Sequence, residues 1–141
     1  MTASAHDTPN ITATDRMGKR ARLLAVIDRD GPACVYCGCD FEAPLAVPTT
    51  EHLVPRLKGG PSWFENEVAA CKSCNQARGH QSLGAWIDAC LGQGWPVQIT
   101  DILCQLDALS RAIERRGGQR RARRYIASQR RRLLRLADSQ P

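Results

Sequence analysis

Cys71-Lys72-Ser73-Cys74-Asn75-Gln76-Ala77-Arg78-Gly79, with Cys34-Val35-Tyr36-Cys37 ahead of it across a spacer of 33 residues, decides how this chain folds. Each Cys-x-x-Cys turn aims two sulfurs at one point, and four thiolates complete a closed tetrahedral site for zinc. Four sulfurs leave no open coordination position, so the expected Zn²⁺ is structural. Residues 34–79 form a unit of 46 residues with few large apolar side chains, and such a unit rarely folds on burial alone. Zinc in a site of this type contributes about 10–16 kcal/mol of apparent folding free energy. The competing reading is two unrelated pairs of buried thiols. Cys39, two residues after Cys37, is a candidate substitute ligand. Cys90 and Cys104 lie in apolar stripes and read as small buried hydrophobes.

Outward from the cysteines, residues 16–29 have a helical pattern, with Leu23, Leu24 and Ile27 on one face and Asp30-Gly31-Pro32 as the stop. Residues 45–54 are rich in β-formers and broken by Pro48 and Pro55, which predicts two short strands or a hairpin. Lys58-Gly59-Gly60-Pro61 reads as a loop, and residues 71–78 as a helix ended by Gly79. Ser82 is the expected N-cap of a helix with Leu83, Trp86, Ile87, Cys90 and Leu91 at helical spacing. Thr100 is the expected cap of the next, which carries Ile102, Leu103, Leu106, Leu109 and Ile113. Gly117-Gly118 breaks the chain before a last helix over residues 119–137, and the two make an antiparallel hairpin. The expected organisation is a disordered tail (1–15), a core domain (16–80) and a helical region (81–141).

No stretch approaches the roughly 18–20 apolar residues of a membrane span. Residues 1–15 show neither a charged nor an apolar signal region, so a cytoplasmic protein is expected. Residues 1–100 hold 9 Lys/Arg against 10 Asp/Glu, whereas residues 101–141 hold 11 Arg against 4 acids. In the last helix Ala122, Ile126, Gln129, Leu133 and Leu136 share one side, and eight arginines occupy the rest without a single acid. The like-charged i, i+4 pairs Arg120/Arg124 and Arg131/Arg135 each cost a few tenths of a kcal/mol. That pattern points to a polyanion's backbone, with Arg120, Arg123, Arg124, Arg130, Arg131 and Arg135 as contacts. A solvated face or an acidic partner is the competing reading. A homodimer through these helices is compatible with the pattern, which does not demand it.

Between the cysteine pairs stand Glu51-His52-Leu53-Val54-Pro55, Gly59-Gly60 and Asn66, followed by Cys74-Asn75-x-x-Arg78-Gly79. A plain zinc ribbon has no need of that acid–histidine pair. The ordered combination resembles the HNH endonuclease family, over roughly residues 16–80. The resemblance implies a small α+β fold, a ββα-metal core stabilised by the four-cysteine zinc site, followed here by the arginine-rich helical hairpin. It implies a metal-dependent endonuclease that hydrolyses DNA phosphodiester bonds, leaving 5′-phosphate and 3′-hydroxyl ends. His52 then matches the general base, while Glu51 and Asn75 match the ligands of one catalytic Mg²⁺ or Mn²⁺. Asn66 matches the residue that holds the loop and orients His52. Arg78 falls where it could reach a phosphate, as do Arg56 and Lys58 before the Gly-Gly turn. Glu51 stands where many members have Asp.

Each residue also has a plainer reading: a structural histidine, a surface carboxylate, a helix-capping Asn75, a turn Asn66, solvated basic side chains. An alternating strand puts Glu51 and His52 on opposite faces, so both serve one site only if the strand ends or bulges there. Pro55 is consistent with such an end. His80 lies outside the matched positions, and Trp63 is expected to pack beside the core rather than stack on bases. The alternative function is a non-catalytic zinc-stabilised DNA- or RNA-binding module; a zinc module for protein contacts is a third. Phosphate contacts alone do not exclude RNA as the partner.

Overall fold

The computed structural model describes residues 17–140, so the expected tail at 1–15 lies outside the described residues. The elements run α1 (Lys19–Asp30), β1 (Pro48–His52), β2 (Glu67–Cys71), α2 (Lys72–Arg78), α3 (Leu83–Gly92), α4 (Ile99–Arg116) and α5 (Arg120–Asp138), with single 3₁₀ turns at Arg56–Lys58 and Phe64–Asn66. The chain is a small α+β structure.

Residues 45–54 hold one strand, not two. Pro48–His52 pairs antiparallel with Glu67–Cys71, with Pro48 opposite Cys71 and His52 opposite Glu67. Pro48 is tolerated because it opens the strand. The partner strand Glu-Val-Ala-Ala-Cys is buried at all five positions, which erases the period-2 alternation that marks a half-exposed strand. The cysteine turn at 34–37 is tied to the edge of this two-stranded sheet, since the Val35 amide donates to Ala69 O at 3.1 Å.

Helix α1 is tied to the start of β2 and the turn before it by two arginines. Arg22 forms an ion pair with buried Glu67 at 2.7 Å. Arg29 donates to the carbonyls of Phe64 (2.9 Å) and Glu67 (2.6 Å). Helix α4 begins after Gln98, two residues earlier than a Thr100 cap requires. Ile99 is already buried and opens the apolar face that Ile102, Leu106, Leu109 and Ile113 continue. Cys104 is exposed on the other side of that helix, whereas Cys90 is fully buried.

Gly117, Gly118 and Gln119 follow one another with φ of 79°, 72° and 59°, which reverses the chain into α5. One buried cluster then spans both halves of the sequence. Tyr36, Leu53, Val54, Leu83, Ile87, Leu106, Leu109 and Leu133 all belong to it.

The start of α3 shows how α5 docks. The first backbone N–H groups of a helix have no internal partner. Leu83 N donates to the Tyr125 hydroxyl (2.9 Å), Gly84 N to Gln129 Oε1 (2.7 Å) and Ala85 N to Ser82 Oγ (3.2 Å). Gln129 thus sits on the packed side of α5 for its amide. Glycine at position 84 leaves room for this contact: a Cβ there would lie 2.5 Å from Arg132 Cδ and 2.9 Å from Gln129 Oε1, so both side chains would have to shift.

Candidate active site and metal centre

The sulfurs of Cys34, Cys37, Cys71 and Cys74 all lie within 4.8 Å of one another. Cys37 and Cys71 are 3.9 Å apart. A tetrahedral ion with Zn–S bonds of about 2.3 Å requires sulfurs roughly 3.8 Å apart, so the cluster fits a single zinc. The turns meet because Cys71 closes β2 while Cys74 lies in the first turn of α2, where its amide donates to Cys71 Sγ at 3.4 Å. Burial pushes the Cys34 and Cys74 thiols up. A cation at the centre reverses that, since coordination deprotonates thiols outright. Cys39 is half-buried and outside this group of four, with its thiol pushed up to about 12, first by burial and then by its neighbours Cys37 and Cys71.

Beside this centre, Thr50, Glu51, His52, Pro55, Arg56, Asn75, Arg78 and Gly79 line a cleft of about 180 Å³. Strand β1 ends at His52, so the pair at its tip serves one cleft despite the alternation within the strand. His52 is half-buried, and its Nε2 lies 3.1 Å from Ser62 Oγ, which also accepts from Arg56 Nη2 at 3.1 Å. Burial, then the charges of Arg56, Arg22 and Arg78, lower the His52 pKa to about 4. The ring is therefore neutral at pH 7. Ser62 was not legible as a site residue, because nothing local marks a serine that closes on a histidine ten positions back.

Glu51 is buried and pairs with Arg78 Nη1 through Oε1 at 3.2 Å. Its other oxygen makes no close hydrogen bond, and neither does the buried Tyr36 hydroxyl, but the two groups interact: Tyr36 joins the Arg78 charge in favouring the Glu51 carboxylate against burial. Burial raises the Glu51 pKa against the opposing charge of Arg78. Glu51 is thus not the surface carboxylate of the plainer reading. Held by Arg78 and Tyr36, the carboxylate keeps lone pairs for a further partner such as an ion or a water. Asn75 donates through Nδ2 to Thr49 Oγ1 (3.0 Å) and Thr50 O (3.4 Å). One carboxylate oxygen and one amide oxygen, completed by water and phosphate oxygens, suit Mg²⁺ or Mn²⁺.

Arg78 requires a correction. Its side chain is 3% exposed, and neither a phosphate contact nor a solvated arginine describes it. All five N–H groups face acceptors: Nε to Gln81 O (3.3 Å), Nη1 to His52 O (2.9 Å) and Glu51, Nη2 to Leu53 O (3.1 Å) and the Tyr125 hydroxyl (3.4 Å). It braces the end of β1 from within.

Asn66 is fully buried. It accepts from Val54 N (2.9 Å) and donates to Val54 O (3.0 Å) and Pro61 O (2.9 Å). These bonds close the loop that follows His52, and none of them touches the His52 side chain. Gly60 lets the loop close: a Cβ there would sit 1.8 Å from Val54 O. Arg56 and Lys58 are exposed beside the cleft, in the 3₁₀ turn that Arg121 of α5 grips through Leu57 O. Trp63 packs against the core, with Arg116 over its ring at 3.7 Å. His80 is exposed and not among the residues lining the cleft.

Residues 34–90 match the HNH endonuclease family. The similarity to that family extends over 57 of the chain's 141 residues. The HNH segment holds the four cysteines, Glu51, His52, Asn66, Asn75 and Arg78, and ends within α3. Over 63 residues the chain is 35% identical to the CRISPR-associated endonuclease Cas9 of Corynebacterium diphtheriae, a stretch covering 43% of this chain and 5% of that protein. The chain thus matches only a small part of that relative's length. No solved structure matches.

Outside the HNH segment, the arginines of α5 divide by face. Arg120, Arg124, Arg131 and Arg135 are exposed and fall within a stripe roughly 60° wide, opposite buried Ala122, Ile126 and Leu133. Two of the expected contacts lie on the flank instead. Arg130 forms an ion pair with Asp107 of α4 at 2.9 Å, and Arg123 donates to Ile113 O at 3.5 Å. Asp107 stands one antiparallel turn away, a partner invisible within α5 itself. No described helix is long and apolar enough to cross a membrane.

Proposed function

We propose that the protein is a metal-dependent DNA endonuclease. The observation that carries this reading is the single cleft shared by Glu51, His52 and Asn75 within the HNH segment. A non-catalytic binding module has no use for a buried carboxylate, a neutral histidine and an asparagine brought to one cleft.

His52 accepts the proton of the attacking water. In the tautomer whose Nε2–H donates to Ser62 Oγ, Nδ1 is the basic ring atom. A neutral imidazole at pH 7 is in the state that can take a proton, and an arriving phosphate strengthens it as a base by offsetting the charges of Arg56 and Arg22. A divalent cation held by Glu51 and Asn75 would supply charge relief at the phosphoryl oxygens and the departing 3′-oxygen. Arg78 holds Glu51, and Asn66 holds the loop behind His52. Arg56 and Lys58 contact phosphates beside the cleft. The stripe Arg120, Arg124, Arg131 and Arg135 anchors the nucleic-acid backbone without reading sequence. The structural ion is Zn²⁺.

The test is incubation of wild type and His52→Ala with supercoiled plasmid, with and without Mn²⁺, at one zinc per chain. Wild type should nick or linearise the plasmid only with Mn²⁺, and His52→Ala should bind DNA equally without cutting. Cutting by His52→Ala at the wild-type rate removes the assigned base. Salt-sensitive binding without cutting by either protein favours the binding module.

A further inference from the structure

We infer that Tyr125, on the arginine-rich helix α5 and outside the HNH segment, is a positioning residue for the Glu51–His52 end of β1. The inference rests on the nuclease reading above. The Tyr125 hydroxyl accepts from Leu83 N at 2.9 Å and from Arg78 Nη2 at 3.4 Å. Arg78 Nη1 holds the Glu51 carboxylate (3.2 Å) and the His52 carbonyl (2.9 Å), while Nη2 also holds the Leu53 carbonyl (3.1 Å). Four of the five acceptors around this guanidinium come from the HNH segment; Tyr125 alone comes from α5.

A guanidinium is planar and rigid, so a change at Nη2 tilts Nη1 with it. Without the Tyr125 oxygen, one N–H of a buried cation loses its acceptor. The group turns to recover one, and the Glu51 carboxylate moves with it. The same helix carries the exposed stripe Arg120, Arg124, Arg131 and Arg135, and Arg121 grips the turn at Leu57. The nucleic-acid-binding helix and the hydrolytic cleft are therefore one mechanical unit, joined through Tyr125 and Arg78.

The experiment compares wild type, Tyr125→Phe and Gln129→Ala. Both variants remove a cap from the start of α3, but only Tyr125 touches Arg78, so Gln129→Ala reports mere loosening of the junction. Three quantities are read: solvent exchange of the Arg78 side-chain N–H groups by ¹⁵N NMR, Mn²⁺ affinity without DNA by electron paramagnetic resonance, and plasmid cleavage resolved into kcat and KM. Tyr125→Phe should exchange faster at Arg78, bind Mn²⁺ about 3- to 10-fold more weakly, lose a similar factor in kcat and keep KM within about twofold, the scale of one ordinary hydrogen bond, as suits a contact of 3.4 Å. Gln129→Ala should match wild type in all three. Equal losses in Gln129→Ala, or a Tyr125→Phe indistinguishable from a wild type that binds Mn²⁺ and cuts, overturn the inference alone. A wild type that neither cuts nor binds Mn²⁺ overturns the nuclease reading and this inference with it.

Discussion

Asn66→Ala tests whether the loop after His52 is held by one side chain. The amide is fully buried and makes three hydrogen bonds of 2.9, 3.0 and 2.9 Å to Val54 N, Val54 O and Pro61 O. Truncation strands the buried Val54 N–H, which costs about 1–3 kcal/mol, and removes two donors worth about 0.5–1.5 kcal/mol each. The expected loss is about 3–4 kcal/mol. For a chain of this size that lowers Tm by about 10–15 °C. Urea unfolding at fixed saturating zinc measures it, with an unchanged m-value as the sign that the same unit unfolds. Asn66→Asp sharpens the test. It keeps the acceptor for Val54 N but turns a carboxylate oxygen toward two carbonyls, so it should lose at least as much. A loss below about 1 kcal/mol in Asn66→Ala, or a tolerated Asn66→Asp, would refute the bracing role.

Other outcomes follow from the same geometry. Cys71→Ser, or a strong chelator, should release zinc and unfold the HNH segment, read by zinc content and circular dichroism; a metal-bound, native Cys71→Ser would end the four-cysteine assignment. Replacing Arg120, Arg124, Arg131 and Arg135 together by Ala should flatten the salt dependence of DNA binding by up to about 0.9 for each phosphate the stripe neutralises. Arg130→Ala should leave that slope unchanged, because Asp107 already holds Arg130. Because the folded-state pKa of His52 lies near 4, below the reference value of about 6.5, its contribution to stability is complete above pH 6.5 and lost as pH falls toward 4. Tm of wild type should therefore fall more steeply over that window than Tm of His52→Gln at equal zinc; parallel curves would contradict the burial of the ring.

Much of the site was legible because its signals are local. The Cys-x-x-Cys turns, the acid–histidine pair and the Asn at the start of α2 sit at fixed covalent spacing, and spacing alone brings ligands of one turn together. Helices α3 and α5 were legible from apolar stripes at helical period. Strand β2 was not, since a strand covered on both faces has no alternation to read. Arg78, expected at a phosphate, is bound within the protein because its acceptors come from distant positions: Glu51, His52 and Leu53 at the end of β1, and Tyr125, 47 residues later.

Residue order alone sufficed for each Cys-x-x-Cys turn, the acid–histidine pair and the charge of the last helix, because each depends on neighbours within a turn or two. Which arginines face solvent and which are structural depended on the packed chain. Arg78 and Arg130 differ from Arg124 and Arg131 only in meeting Glu51 and Asp107 across the fold. A charge is defined by what surrounds it, and those surroundings come from segments distant in sequence.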